Sequence, residues 1–339
     1  MSDIAQRKDE HLDICRDGPV ESGQSGGLSA WRLHYRSLPE IALEDVDLSC
    51  EIAGKRLTAP LIIGAMTGGT DDAQSVNRVL AAAAEATGIA FALGSGRVVL
   101  ERPETASSFQ VRDVAPNALV FANLGAVQFN YGVTGDDAAH LVEVLGADAL
   151  NLHLNPLQEA IQPEGDTNFR GLLGKIREAL PAINAPVFVK EVGAGIGEET
   201  AAQLAQLPLA GVETAGVGGT SWARVEALRH DSASTRHAGF ALGGFGVPTA
   251  ESIVACRAAM SDRTVVGSGG LRTAEDMAVA LALGADAVAC ALPFLKAASG
   301  GVEGVVALIE RYIHTLRILH FVCGARTPHE LRGRVSRVG

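Results

Sequence analysis

The chain has 339 residues, of which 47% are hydrophobic and 4% aromatic, enough to bury a large core in one α/β barrel or in two domains. Its 28 basic and 39 acidic side chains give a formal net charge of −11, which argues against nucleic acid or an anionic membrane as a partner and requires any phosphate site to be local. The five cysteines have no CxxC spacing, so they indicate a reducing compartment without structural zinc, and we expect a cytoplasmic protein.

Residues 1–60 are predicted to form an N-terminal extension and a hairpin within the same domain as the rest of the chain. Met1 to His11 is polar and charged, unlike a signal peptide. Gly18 to Ser29 is rich in glycine and serine and is expected to be mobile. Ile41 to Pro60 is typical of a hairpin with its turn at Ala53-Gly54-Lys55, which would plug the N-terminal end of a barrel.

Short apolar runs alternate with alanine-rich helical patterns over residues 61–339. Eight runs predict strands: Leu61 to Met66, Ala90 to Gly94, Leu119 to Leu124, Ala149 to Leu154, Val187 to Val192, Gly211 to Ala215, Thr264 to Gly267 and Ala287 to Ala291. Candidate helices include Ala73 to Ala86, Asp136 to Leu145, Phe169 to Leu180, Glu198 to Leu207, Thr249 to Ala259 and Thr273 to Leu283. This alternation predicts a parallel sheet covered on both faces, and eight repeats favour a (β/α)₈ TIM barrel. A doubly wound open sheet is the alternative, but its GxGxxG fingerprint does not follow the first strand.

Two apolar stretches near the C-terminus need an assignment. Ala278 to Leu295 is interrupted by Gly284-Ala285-Asp286, so it predicts a helix followed by a buried strand rather than a membrane span. Gly304 to His320 is typical either of a final helix that covers the barrel or of an interface helix.

Polar residues cluster where the predicted strands end, and in a barrel these ends converge on one face. The richest cluster runs from Asn151 to Glu159: in a strand Asn151, His153 and Asn155 share one face, and Pro156 ends the strand. A polar strand cap is the alternative interpretation of that segment. The turn Ser268-Gly269-Gly270 precedes a helix, and backbone N–H groups at a helix N-terminus favour a phosphate. A second set of backbone donors lies at Gly218-Gly219-Thr220.

Lys190 is the candidate that would define the cofactor. A lysine beside the N1 edge of a flavin would stabilise the anionic reduced form, which favours flavin mononucleotide (FMN). Two alternatives stay open on chemical grounds: a Schiff base with pyridoxal phosphate, or an ion pair with a carboxylate inside the barrel.

Several of these motifs together resemble the signature set of type II isopentenyl diphosphate isomerases. The matching motifs are Arg7-Lys8-x-x-His11, Met66-Thr67-Gly68-Gly69, Gly94-Ser95-x-Arg97, Asn123-x-Gly125-Ala126, His153-x-Asn155-x-x-Gln158-Glu159, Lys190-Glu191, Gly218-Gly219-Thr220-Ser221-Trp222 and Gly269-Gly270-x-Arg272. The chain departs from the family pattern at Glu213-Thr214-Ala215 and at Gly197, where the family often has serine. We expect these departures to affect one contact with the flavin phosphate or ribityl chain.

The resemblance implies that the chain interconverts isopentenyl and dimethylallyl diphosphate with reduced FMN, Mg²⁺ and NADPH as the reductant, as a homo-oligomer of four or more subunits. The implied catalytic residues are Gln158, His153 and Asn155, acting with N5 of the reduced flavin, and the implied Mg²⁺ ligand is Glu159. Substrate contacts are implied for Arg7, Lys8, Ser95, Gly96, Arg97, His153, Asn155 and Gln158. FMN contacts are implied for Ala65, Met66, Thr67, Ser95, Asn123, Lys190, Thr220, Ser268, Gly269, Gly270, Arg272, Ala291 and Leu292. The Arg7-Lys8 segment is expected to be disordered without substrate and to close over the diphosphate.

Two other kinds of function compete with this one. An FMN-dependent 2-hydroxy-acid oxidase needs a base in a His-Gly-Gly-Arg type motif, and the sequence contains no such motif. An inosine monophosphate dehydrogenase relative needs a nucleophilic cysteine in a loop, and Thr220 to Gly239 contains no cysteine. A barrel that senses phosphate without turnover predicts loss of Gln158 or Glu159, and both are present.

Overall fold

The computed structural model describes the backbone of residues 4–338 and the side chains of residues 10–338 other than Asp71. It begins with helix α1 (Ile4–Asp17), strand β1 (Trp31–Leu33) and the antiparallel pair β2 (Cys50–Ile52) and β3 (Lys55–Leu57). The predicted hairpin is confirmed, since Ala53 and Gly54 make its turn with φ of 50° and 76°.

Within residues 4–338, eight parallel strands close into a barrel. They are β4 (Leu61–Ile63), β5 (Ala90–Ala92), β6 (Val120–Gly125), β7 (Ala149–Leu154), β8 (Val187–Glu191), β9 (Gly211–Glu213), β10 (Thr264–Ser268) and β11 (Ala287–Cys290). Each strand overlaps one of the predicted apolar runs, and β11 pairs with β4 to complete the ring. The predicted TIM barrel is confirmed, and the open sheet is wrong.

Helices surround the barrel. They are α2 (Asp71–Thr87), α3 (Arg97–Glu101), α4 (Gly135–Val144), α5 (Pro156–Ile161), α6 (Leu172–Ala179), α7 (Glu198–Leu204), α8 (Trp222–Arg229), α9 (Ala233–Ala241), α10 (Thr249–Ala259), α11 (Ala274–Leu283), α12 (Leu292–Ala297), α13 (Gly301–Val322) and α14 (Pro328–Leu331). Short 3₁₀ turns lie at Leu28–Ala30, Leu43–Asp45, Pro103–Phe109, Ala126–Asn130, Leu180–Ala182 and Ala298–Gly300. The hydroxyls of Thr70, Thr134 and Thr273 cap α2, α4 and α11, which fixes where these helices begin after their strands.

The N-terminal end of the barrel is filled with apolar side chains. Phe121 and Phe188 pack edge to face inside it, with ring centroids 5.4 Å apart. Ile52 and Leu57 of the hairpin belong to the same buried cluster, so the hairpin plugs this end as the sequence predicts. The cavity of the barrel lies at the opposite end.

The stretch Gly18 to Ser29, which is expected to be mobile, packs against neighbouring loops. Its backbone bonds to neighbouring loops: Ser22 N–H donates to Gly219 O, and Ser221 N–H donates to Val20 O. The side chains of Val20 and Ser22 are buried. The small residues of this stretch permit this close packing, and its mobility stays a prediction.

The C-terminal apolar stretches form barrel helices and a strand. The split of Ala278 to Leu295 into α11 and β11 is confirmed. Leu292–Val322 is long and apolar enough to cross a membrane by length and composition. It is interrupted by the turn at Ala298–Gly300, and α13 packs against α2 and α11, so α13 is a barrel-covering helix. The chain then forms β12 (Val335–Arg337), which pairs antiparallel with β1.

Candidate active site

The carboxyl ends of the barrel strands surround a cavity of about 240 Å³. The strand register brings His153, Lys190 and Glu213 side by side on β7, β8 and β9. Inward-pointing positions at one level of a parallel barrel form a layer, so these three polar side chains share the cavity floor.

Most of the residues singled out in the sequence line this cavity. The lining includes Ala65, Met66, Thr67, Ser95, Arg97, Asn123, His153, Asn155, Gln158, Glu159, Lys190, Thr220, Ser268, Gly269, Gly270, Arg272, Ala291 and Leu292. Gly96 differs: it is not among the lining residues, its N–H donates to Asn123 O, and its Cα faces Leu141, so a substrate contact there lacks support. Arg7 and Lys8 lie in α1, but their side chains are outside the described residues.

A directional chain of hydrogen bonds runs along one wall of the cavity. Asn155 Nδ2 donates to Glu159 Oε1 at 2.7 Å and to Gln158 Oε1 at 3.2 Å, and Gln158 Nε2 donates to Glu226 Oε1 at 2.8 Å. Because carboxylates only accept, the acid at each end fixes which way both amides point. In this orientation Asn155 Oδ1 is buried without a hydrogen-bond partner among the described residues. A buried acceptor of this kind requires a donor from a ligand or from water.

Glu226 on α8 is the functional candidate that sequence reasoning missed. It is completely buried, with His11 Nε2 at 3.0 Å from Oε1 and Arg229 Nη1 donating to Oε2 at 2.7 Å. Burial alone would raise the pKa of its carboxyl, but His11, the hydrogen bond from Gln158 and the charge of Arg229 lower it to about 2. Glu226 is therefore ionised at neutral pH and holds Gln158 in one orientation.

His153 and Arg97 are held by groups on adjacent elements. The Nδ1 atom of His153 lies 2.9 Å from Asn123 Oδ1, so the Nδ1–H form donates to this amide and fixes the ring. Arg97 at the start of α3 is bound by Glu101, at 2.6 Å from Nε, and by Asp166. Although burial disfavours its charge, the hydrogen bond with Glu101 and the charges of both acids raise the pKa of Arg97.

Lys190 sits in a buried polar cluster. Its Nζ donates to Glu191 O at 2.7 Å and lies 3.5 Å from Glu213 Oε1. Ser268 Oγ donates to Glu213 Oε1 at 2.9 Å and accepts from Ala215 N. The ion pair of Lys190 with a carboxylate, one of the alternatives for this residue, is present. Lys190 also lines the cavity, so the ion pair is compatible with a contact to a flavin.

Packing requires the two glycines in the turn after β10, whether or not this turn binds a ligand. Gly269 and Gly270 have φ of 110° and 70°, in the left-handed region. A Cβ at either position would overlap the carbonyl oxygens of Gly216 and Gly218 on the neighbouring loop. The glycines therefore bring two strand-end loops into direct contact beside Arg272.

The cavity wall also includes part of the N-terminal helix. His11, Leu12 and Cys15 of α1 line it, and His11 packs edge to face on Trp222 with ring centroids 5.1 Å apart. Burial raises the pKa of the Cys15 and Cys290 thiols to about 12, so neither is an ionised nucleophile at neutral pH.

Comparison with known proteins identifies the family. The chain is 49% identical over 321 residues to the isopentenyl-diphosphate delta-isomerase of Synechococcus sp., covering 94% of this chain and 92% of that protein. It is 44% identical to the protein of the same name from Methanococcoides burtonii, covering 97% of this chain and 91% of that protein. The chain belongs to the isopentenyl-diphosphate delta-isomerase family. The resemblance seen in the sequence motifs is confirmed.

Two further matches relate this isomerase-family chain to flavin barrels. Residues 235–337 match the model of the FMN-dependent dehydrogenase family. A structure of mandelate oxidase with (S)-2-phenylpropionate aligns with a TM-score of 0.68 at 20% identity, covering 99% of this chain and 97% of the other. At that identity the alignment shows a shared fold.

The two departures from the isomerase-family pattern have different consequences. Ala215 lines the cavity with a φ of 37°, and its N–H donates to Ser268 Oγ, so the departure at Glu213-Thr214-Ala215 lies at the cavity itself. Gly197 is the N-cap of α7 and is not among the residues that line the cavity. A serine at position 197 would cap a helix, so the expected loss of a flavin contact there lacks support.

Proposed function

We propose that this chain interconverts isopentenyl and dimethylallyl diphosphate, using reduced FMN and Mg²⁺. The observation that carries the proposal is the joint position of Asn155, Gln158 and Glu159 on one wall of a cavity whose floor includes His153 and Lys190, in a chain that belongs to the isomerase family. Moving a double bond requires a proton to be added at one carbon and another to be removed from a second carbon. The wall supplies oriented amides and carboxylates for that task.

The residues on the floor and on the β9 to β11 side fit a flavin mononucleotide. Lys190 is a buried cation, and Arg272 and the turn Ser268-Gly269-Gly270 offer a cationic side chain and backbone N–H groups for a phosphate. Ala65, Met66, Thr67, Ser95, Asn123, Thr220, Ala291 and Leu292 would complete its contacts. When bound and reduced, the flavin supplies an electron-rich ring and a protonatable N5 beside the substrate.

The polar wall fits the diphosphate and its metal ion. Glu159 would bind Mg²⁺, and Arg97, Ser95 and a doubly protonated His153 would donate to phosphate oxygens, with Arg7 and Lys8 added from α1. Asn155, whose Nδ2 group already donates to Glu159 and Gln158, would offer its Oδ1 to the metal ion or to a water bound to it. No group of three His, Cys, Asp or Glu side chains that could hold a metal occurs among the described residues. Mg²⁺ would therefore take most of its ligands from substrate oxygens and water, as is usual for this ion.

Gln158 is the side chain best placed to assist the reacting carbons. Glu226 and Asn155 orient its amide, so the rotamer is set before substrate arrives. Leu12, Met66, Leu292 and Leu295 add an apolar part to the cavity, which suits a hydrocarbon tail and excludes water from a reactive intermediate.

The decisive experiment measures conversion of isopentenyl diphosphate by the purified chain with FMN, Mg²⁺ and NADPH, and then with each omitted. With oxygen excluded, we expect conversion in the complete mixture and a large loss after any omission, while NADPH is consumed only to reduce the flavin once because no oxidant regenerates the oxidised flavin. Steady NADPH consumption or oxidation of a 2-hydroxy acid without isomerisation would instead support the oxidoreductase alternative.

We also propose that the enzyme works in the cytoplasm as a homo-oligomer of four or more subunits, reduced by NADPH, with small isoprenoid diphosphates rather than nucleic acid or membrane as partners. Residues 1–60 and 61–339 would form one domain, since the hairpin shares a buried cluster with the barrel interior. Sedimentation velocity on the FMN-loaded protein tests the assembly.

A further inference from the structure

Asp166 contacts three residues of the cavity wall that come from three different elements. Its Oδ2 accepts from Arg97 Nη1 and from Gln128 Nε2, the latter at 2.9 Å, and its backbone N–H donates to Glu159 Oε2 at 2.7 Å. Arg97 opens α3, Gln128 follows β6 and Glu159 lies in α5. One residue therefore links the arginine assigned to the diphosphate with the carboxylate assigned to Mg²⁺.

The loop after α5 is shaped to bring Asp166 to this position. Gly165 N–H donates to Gln162 O at 3.2 Å, which turns the chain back toward α5. A Cβ at Gly165 would overlap the carbonyl oxygen of Glu159, so the loop passes directly over that residue. This close approach makes the contact between Asp166 N–H and the Glu159 side chain a fixed feature of the loop.

Asp166 supports the wall from behind rather than occupying the place of a ligand. Arg97, Gln128 and Glu159 line the cavity, whereas Asp166 is not among the lining residues. A carboxylate inside the cavity would compete with an anionic substrate for Arg97. A carboxylate behind the guanidinium instead fixes its plane, because an arginine fork bound on one edge presents its other donors in a set direction.

We propose that Asp166 is a positioning residue for anion binding, which orients Arg97 and Gln128 toward the diphosphate and joins them to Glu159. The inference rests on the proposed function for the identity of the anion. Loss of the Asp166 charge releases Arg97 on one side and loosens the loop that carries the N–H bound to Glu159. Both effects weaken binding of the diphosphate with its metal, and neither touches Gln158.

The test uses the variant Asp166→Asn as FMN-loaded enzyme. Calorimetry measures its binding of inorganic pyrophosphate in the presence of MgCl₂, and a kinetic assay then measures its turnover of isopentenyl diphosphate. Loss of a charge-assisted hydrogen bond weakens binding about tenfold, so we expect the pyrophosphate dissociation constant and KM to rise about tenfold. We expect kcat to change by less than about threefold and the flavin content to stay at the parental level. This split between KM and kcat is not expected from general damage to the fold.

Asp113→Asn is the matched control. Asp113 binds Arg78 through two contacts of 2.8 Å on an exposed surface away from the cavity, so the same substitution there should leave both constants unchanged. If Asp166→Asn does not fold, Gln128→Leu removes the other donor to the same oxygen and should raise the pyrophosphate constant about threefold.

The outcomes separate the two proposals. The role of Asp166 is overturned if Asp166→Asn, or Gln128→Leu where Asp166→Asn does not fold, binds pyrophosphate as tightly as the parent or more tightly. This holds even if the parent isomerises its substrate. Weakened pyrophosphate binding in a chain that shows no isomerisation supports Asp166 and overturns the proposed function. A parent that binds no pyrophosphate overturns the anion site itself.

Discussion

Replacing Glu226 with glutamine tests the buried network behind Gln158. The pKa of Glu226 falls from an ordinary value of 4.5 to about 2 in the folded chain. A difference of about 2.5 units, at ~1.36 kcal/mol per unit, corresponds to about 3 kcal/mol of stability carried by the ionised form. Glu226→Gln keeps the shape but removes the charge, so the free energy of unfolding at pH 7 should fall by about 3 kcal/mol.

The stability difference between the parent and Glu226→Gln should depend on pH in a defined direction. The folded-state pKa of Glu226 is depressed, so its contribution is complete above about pH 4.5 and is lost as the pH falls toward 2. The difference between parent and variant should therefore shrink, by about 1 kcal/mol at pH 3.5. Urea unfolding at equal FMN concentration, at both pH values, measures it. Glu178→Gln on the exposed face of α6 is the control and should change stability by less than about 0.5 kcal/mol.

A variant as stable as the parent at pH 7, or a difference that does not change with pH, would refute this account of Glu226. Activity gives a second readout. With its partner neutral, Gln158 loses a fixed orientation, so kcat should drop more than the affinity for the substrate.

Three further predictions concern single residues. Glu159→Gln should leave FMN bound while activity falls and the Mg²⁺ concentration for half activity rises about tenfold, because an amide is a poorer Mg²⁺ ligand; a parental magnesium profile would show that Glu159 is not the ligand. Lys190→Ala should raise the FMN dissociation constant about tenfold in a fluorescence titration, and full flavin retention with full activity would make Lys190 purely structural. Burial lowers the pKa of His320, whose Nδ1 lies 2.8 Å from Leu316 O, so stability should decline as the pH drops below 6.5. His320→Leu should lose that decline in urea unfolding between pH 5 and pH 7, and an unchanged pH profile would place its cause elsewhere.

The barrel strands were predictable because their signal is local. Ala149 to Leu154 is a short run with apolar residues at four of six positions, it is ended by Asn155 and Pro156, and the structure assigns β7 to the same residues. Since parallel strands end on one face, the position of His153, Lys190 and Ser268 around one cavity followed from the order of the strands.

The supporting contacts were not predictable for an equally physical reason. Glu226 is separated from Gln158 by 68 residues, and its position depends on how α8 packs against α5. The short-range pattern of α8 marks Glu226 only as a helical acid, which on its own is typical of a solvated face. The three-residue spacing of Leu12 and Cys15 was the available signal that α1 has an apolar face and packs on the barrel.

The pairing of β1 with β12 imposes an order on how the chain acquires its structure. Trp31 pairs with Arg337 and Leu33 with Val335, and Val338 N–H also donates to Ala30 O. During synthesis at about 5–20 residues per second, the segment around Trp31 waits some 15 to 60 seconds for these partners to emerge from the ribosome. Until then the edge of β1 is exposed and able to pair with other chains. A nascent chain stalled between residues 291 and 334 should therefore be more prone to self-association than one released after residue 338, although both contain every barrel strand.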